Sequence, residues 1–264
     1  MRKQGSLLVV FVAACVCLLG ACSSSDSASS TTAKSGGSPT TTVSGDAAGD
    51  TEDVAADCTL LSALDLDGSG EDVDLHGCNL TNATLTDANL TNANLTNAKL
   101  TEAWLAYADL TGADLTGADL TNATLYFADL TGANLTGADL AAAQLLAANL
   151  TGANLTGAWL TNANLSGVIS GGISGTPASL PDGYQIIGGN IIGPSVNLTE
   201  DDLRGANLTG ANLTNADLTG ADLTEANLQD ADLTGANLSG VTWSITTCPN
   251  GVVQDTECPR TAAG

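Results

Sequence analysis

The sequence predicts a stacked repeat solenoid, and three observations carry that expectation. From Leu75 to Leu165 a leucine stands at every fifth residue without a miss, and from Ala83 to Ala163 an alanine stands two places before each one. Five is neither the helical period of about 3.6 nor the strand period of 2, so the array is an internal repeat. The 264 residues include only 2 Phe, 3 Tyr and 3 Trp, too few large side chains for a conventional core of that length. Columns of leucine must supply the core instead.

The chain opens on a processing signal. In residues 1–22, Arg2 and Lys3 form a charged start, Leu7 to Leu19 an apolar run, and Leu19-Gly20-Ala21-Cys22 a small-residue close. The run is short for a bilayer span and is built like a secretory signal. Its end resembles the bacterial lipobox, which makes Cys22 the lipidated residue and new N-terminus; the alternative is a plain signal peptide with an incidental Cys22. Residues 23–51 are mostly Ser, Thr, Gly, Ala and Asp with Pro39, too polar to order themselves, and read as a tether between lipid and folded domain. Residues 52–74 form an irregular N-terminal cap or first coil, 75–243 the repeat array, and 244–264 a cysteine-containing C-terminal cap or tail.

A five-residue unit with one small and one large apolar residue turns both inward and leaves three positions outward. Ala113-Asp114-Leu115-Thr116-Gly117 followed by Ala118-Asp119-Leu120-Thr121-Asn122 is typical. This pattern resembles the pentapeptide-repeat family, A(D/N)LXX. The resemblance implies an all-β fold, a right-handed quadrilateral β-helix with four pentapeptides in each coil. It says little about activity, because fold and function are separable.

The array is interrupted between Leu165 and Leu198. The first register continues through Val168/Ser170 and Ile173/Gly175 to Ala178/Leu180, and a second runs back from Val196/Leu198 through Ile191/Gly193 to Ile186/Gly188. The step from 180 to 188 is five plus three. The preferred reading is one continuous helix with a three-residue bulge near Pro181-Asp182-Gly183, which has turn chemistry. The alternative is a hairpin of residues 185–187 with 190–192 about Gly188-Gly189, protruding from the coil. Just beyond, Asp201 takes a small inward position, which buries a carboxylate unless it is paired; Arg204 is the nearby cation.

The 20-residue coil implied by the resemblance stacks Cys58 and Cys78, 20 apart, at the usual strand spacing of about 4.8 Å. A Cys58–Cys78 disulfide is expected there, and a second between Cys248 and Cys258 around Pro249-Asn250-Gly251, with free thiols as the alternative.

Outward positions are mostly Thr, Gly, Asn and Asp, so the exceptions mark a face. Leu105-Ala106-Tyr107, Leu125-Tyr126-Phe127 and Leu145-Leu146-Ala147 replace Leu-Thr-Gly at intervals of 20. Trp104 belongs to the same face and Trp159 to the neighbouring one. Trp104, Tyr107, Tyr126, Phe127, Leu146 and Trp159 are therefore the candidate partner-binding residues, for a protein partner, self-association or a glycan. Alternatively the aromatics cover the coil corner or pack beneath the tether.

Other function classes find little support. Six Lys+Arg against 29 Asp+Glu give a formal charge of −23, and removing Arg2 and Lys3 with the signal leaves four against 29, or −25. Such a chain is a poor sequence-independent binder of nucleic acid or anionic lipid. Stacked Asp109/Asp129 and Asp119/Asp139 are weak calcium candidates, and the Thr91, Thr111, Thr131, Thr151 column is a weak ice-binding one. No cofactor, metal site or small-molecule substrate is expected. The single histidine, His76, stands at an outward position and reads as a surface polar residue; a lone histidine makes no convincing triad or zinc site, and no catalytic residue is assigned.

The expectation is a non-enzymatic, lipid-anchored module on the extracytoplasmic face of the cell membrane, held by its N-terminal lipid and presenting an acidic β-helical rod. The alternative from the resemblance is a DNA-mimicking, gyrase-binding protein, which the export signal disfavours.

Overall fold

Each pentapeptide adds one residue to a parallel ladder. Asp74 bridges Asn94, Asn94 bridges Asp114, Asp114 bridges Asn134 and Asn134 bridges Asn154, always 20 residues apart, the length of four pentapeptides. The computed structural model describes residues 73–261, within a compact unit that spans 55–264. The signal, the tether, Cys22, Cys58 and most of the N-terminal cap lie outside the described residues.

The five-residue unit has a clear local logic. Its alanine and leucine point inward, and from Leu90 to Leu160 every one of them is at most 1% exposed. A fully buried leucine is worth about 1.5–3 kcal/mol relative to an exposed one, so the column is a continuous source of stability. After each leucine the chain turns: Ala98 N–H donates to Leu95 C=O at 3.0 Å, and Ala118 N–H to Leu115 C=O at 3.0 Å. The third residue of each turn has positive φ, 56° at Asn97 and 65° at Gly117, as a type II turn requires. That is why glycine or asparagine closes most units.

Polar positions satisfy the backbone. Leu115 N–H donates to Asn134 C=O at 2.8 Å, Asn134 N–H to Ala113 C=O at 2.9 Å and Gly117 N–H to Thr136 C=O at 2.9 Å, which stitches adjacent coils. The threonine N–H is left over, and the preceding Asp or Asn takes it. Asp114 Oδ1 accepts from Thr116 N–H at 3.0 Å and from its hydroxyl at 2.6 Å. The A(D/N)LT preference is thus a hydrogen-bonding unit.

The interruption is a hairpin, and this corrects the bulge reading. Strand β1 (Gln185–Ile187) pairs antiparallel with β2 (Asn190–Ile192), with Ile186 opposite Ile191. Ile169 bridges Asn197, 28 residues on, where a three-residue bulge would have left 23; Asn197 then bridges Asp217 at the ordinary 20. The hairpin therefore absorbs eight residues within one coil. Nor does it protrude: Ile191 and Ile192 are fully buried, Ile191 N–H donates to Ser170 Oγ at 2.9 Å, and Ile173 N–H donates to Gly189 C=O at 2.9 Å. Burying two successive isoleucines holds the insert down, so Ile186 and Gly188 do not extend the inward columns.

At the far end, β3 (Thr246–Thr247) and β4 (Val253–Gln254) form a second antiparallel hairpin. Cys248 and Cys258 are joined, with Cα atoms 5.3 Å apart. This cap offers carbonyls to the last coil: Leu228 N–H donates to Thr247 C=O at 2.7 Å, Asp230 N–H to Pro249 C=O at 2.9 Å and Leu233 N–H to Arg260 C=O at 2.8 Å. Arg260 Nη1 also donates to Ala236 C=O. Cys78 is disulfide-bonded as well.

Candidate partner-binding face

The five-residue turn decides where the exceptional side chains go. Tyr107 and Phe127 fall on the turn's third residue, with φ of 61° and 57°, the place where the fold otherwise puts Gly112, Gly117 or Asn97. Left-handed backbone costs a bulky L residue about 1–2 kcal/mol. The two rings stand one coil apart and stack, with centroids 5.1 Å apart and planes within 5°, which returns about 0.5–1.5 kcal/mol.

The rings remain in solvent: Tyr107 is 58% exposed and Phe127 49%, while Trp104 beside them is 56% exposed. Leu146 is exposed one coil further along, Tyr126 is half-buried, and Ala147 continues the corner column beyond Phe127. These residues share one face and its edge. Trp159 does not join them, because it sits in the ladder column between Asp139 and Ser179 on the neighbouring face. The rings do not seal the core, since Leu110 and Leu115, whose turns end in bare Gly112 and Gly117, are as fully buried as Leu105 and Leu125.

Acidic groups rim this corner. Asp87 precedes Tyr107 in the same column, Asp109 and Asp129 follow the two rings by two residues, and Glu102 precedes Trp104 by two. Hydrogen bonds from Thr111, its hydroxyl first, hold Asp109 below the ordinary carboxylate range, so it stays charged. Strain at the corner is the feature that the sequence reading missed. Its signal was available, because both aromatics occupy the fifth position of a unit that elsewhere ends mostly in Gly or Asn and otherwise, in the regular coils, in Asp, Glu or Ala.

Around Asp201 the outcome differs from expectation. Arg204 pairs instead with Asp202, its Nη2 2.6 Å from Oδ2, and lies 3.9 Å from Asp222. This happens because adjacent outward positions face each other while Asp201 points in. Asp201 Oδ2 is buried without a hydrogen-bond partner, and burial pushes its pKa up to about 6. Asp202, Arg204, Thr224 and Glu225 line a shallow depression of about 360 Å³, already internally neutralised in part by the Arg204–Asp202 pair. Among the described residues no group of three or more His, Cys, Asp or Glu is placed to hold a metal ion. His76 Nδ1 lies 2.8 Å from Asp74 Oδ1.

A family model for pentapeptide repeats, in eight copies, matches residues 71–103, 98–137, 128–167 and 202–240. The chain belongs to the pentapeptide-repeat family. Membership implies a right-handed quadrilateral β-helix. The match omits 168–201, the coil that the hairpin expands. Among solved structures the chain is similar to HetL of the cyanobacterium Nostoc sp. strain PCC 7120, a protein involved in regulating heterocyst differentiation, at 31% identity over 70% of this chain and 82% of that one, TM-score 0.33. It is also similar to Rfr23 of the cyanobacterium Cyanothece 51142, at 38% identity over 43% and 67%, TM-score 0.27. QnrB1, a plasmid-mediated fluoroquinolone resistance protein, matches at 18% identity over 64% and 91%, TM-score 0.36. Superpositions in this range carry no functional argument, and the family assignment rests on the repeats. A comparison with curated proteins found no match.

Proposed function

We propose that this pentapeptide-repeat protein is a lipid-anchored, extracytoplasmic interaction module without catalytic turnover. In this reading Cys22 carries the lipid, residues 23–51 form the tether, and the acidic β-helix presents the face around Trp104, Tyr107, Tyr126, Phe127 and Leu146. The observation that carries the binding role is the stacked Tyr107–Phe127 pair, exposed and held on left-handed backbone. A site that keeps two strained, solvent-facing rings where glycine suffices points to a use for the rings. The anchoring half rests on the Leu19-Gly20-Ala21-Cys22 sequence.

Two measurements examine the two halves. Intact mass and detergent partitioning of the native protein, beside Cys22→Ala, are expected to give acyl mass and detergent partition for the wild type only. A cytosolic, uncleaved chain would defeat the anchoring reading and reopen the gyrase-directed alternative. Photo-crosslinking from position 126 in cells is expected to trap a partner that a crosslinker on the opposite face, at Thr136, does not; identical products from both positions would defeat the face.

A further inference from the structure

We infer that the Tyr107–Phe127 corner docks an arginine-bearing basic segment of a partner protein; this rests on the reading of the aromatic face as a partner surface and names the chemistry it takes. Three observations converge on a cation. Both rings, though stacked on one another, are about half exposed, so aromatic surface outside the stack meets solvent. The charged neighbours by sequence and column, Asp87, Glu102, Asp109 and Asp129, are all carboxylates. The chain's own arginines in the described residues are engaged elsewhere, Arg204 with Asp202 and Arg260 with Glu257 at 3.6 Å, while Lys99 stands in the next face's ladder column beside Asp119.

A guanidinium fits such a corner better than the competing occupants. It stacks flat on an aromatic face and donates in the ring plane to carboxylates, so one group uses both features. Lysine offers a point charge that uses the carboxylates but not the flat stack. A second copy of this chain would bring another −23 to the same acidic surface, which long-range repulsion disfavours. A neutral glycan would use the ring faces and gain nothing from the surplus of carboxylates.

The discriminating variant is Tyr107→Gly/Phe127→Gly in the full chain, kept in detergent micelles. Glycine is the fold's own residue at this corner, as Gly112 and Gly117 show, so the change removes the rings without removing charge or the turn. Binding of a fluorescent decapeptide of alternating arginine and glycine would be measured at about 0.15 M salt, where long-range attraction is already screened beyond about 8 Å. The wild type is expected to bind it about tenfold more tightly than the double variant, and more tightly than a lysine–glycine peptide; a glutamine–glycine peptide should not bind. Equal affinity for wild type and double variant would assign the binding to general acidity and overturn the inference. So would patch-dependent binding of a neutral chitin hexamer in place of the peptide, or a dimer in sedimentation that the double variant loses. Either of these last results leaves the interaction-face reading standing with a different occupant. Binding of none of the probes overturns the inference alone, since cellular crosslinking from position 126 judges the face independently.

Discussion

A single backbone angle links the repeat's composition to its exceptions. The turn's third residue has φ near +60° whether it is Gly117, Asn97 or Phe127, so the side chain there is tolerated rather than required. Phe127→Gly should therefore relieve about 1–2 kcal/mol of backbone strain while losing about 0.5–1.5 kcal/mol of ring stacking, leaving the urea midpoint nearly unchanged. Leu125→Ala, two residues earlier and fully buried, should cost about 2–5 kcal/mol. If Phe127→Gly destabilised as much as Leu125→Ala, the ring would be a structural element and the interaction argument would fail. Asp201 poses the opposite case, a carboxyl turned inward without a partner. Its folded pKa of about 6 lies above its ordinary 3.8, so the native state binds this proton more tightly than the unfolded chain. The protonated carboxyl's contribution is fully present below about pH 4 and is lost as pH rises through about 6. Asp201→Ala should accordingly stabilise at pH 7.5 by about 1 kcal/mol, a figure discounted because the carboxyl is only partly buried, and by much less at pH 4. Urea midpoints at the two pH values check this, and a gain independent of pH would rule out the titration.

At the level of elements, the regular coils were legible in the sequence because every unit repeats the same decision. Ala, Asp or Asn, Leu, Thr and Gly each have one geometric task, and the resulting 20-residue ladder follows. The interruption was legible only as a change of register. Counting residues modulo five fixed a remainder of three but not whether one further pentapeptide left the columns, and Ile186, Ile191 and Ile192 suit an inward column as well as a hairpin. The outcome was decided by tertiary contacts that spacing does not encode, chiefly Ser170 Oγ accepting Ile191 N–H. The same limit applies to Arg204, whose nearness to Asp201 in sequence said nothing of inward and outward facing. Tyr184 clamps the hairpin's exit: its hydroxyl donates to Pro194 C=O at 2.9 Å, and its ring lies so close over Gly193 that a Cβ there would meet Tyr184 Cδ1 at 2.2 Å. Gly193→Ala must displace that ring and should cost about 1–3 kcal/mol. In the double variant with Tyr184→Ala, the added cost of the alanine at 193 should largely vanish, because its obstacle is gone. Additive losses would show that Gly193 is needed for another reason.

Across the described stack, contacts run between neighbouring coils, and this makes stability a local quantity. A solenoid of this kind behaves as a one-dimensional chain of coils in which an end opens more easily than the middle. The C-terminal end is held by the cap, whose carbonyls of Thr247, Pro249 and Arg260 take the N–H groups of Leu228, Asp230 and Leu233. Without it those donors form a bare edge open to pairing with another chain. The Cys248–Cys258 disulfide closes a loop with a sequence separation of 10, which by loop-closure entropy is worth about 3 kcal/mol. Replacing both cysteines by serine should therefore lower the protection of the Leu228 and Leu233 amides against hydrogen exchange by up to about a hundredfold, the equivalent of most of that free energy. Amides of Leu115 and Leu120 in the central coils should keep their protection, because the coils between transmit little of the loss. Amide-resolved exchange of the two proteins at one pH distinguishes this from a cooperative domain, in which Leu115 and Leu228 would lose protection together. Uniform loss would mean that the coils unfold as a unit and that the cap stabilises the whole stack, whereas loss graded from the C-terminal end would make the cap a local guard of an exposed edge.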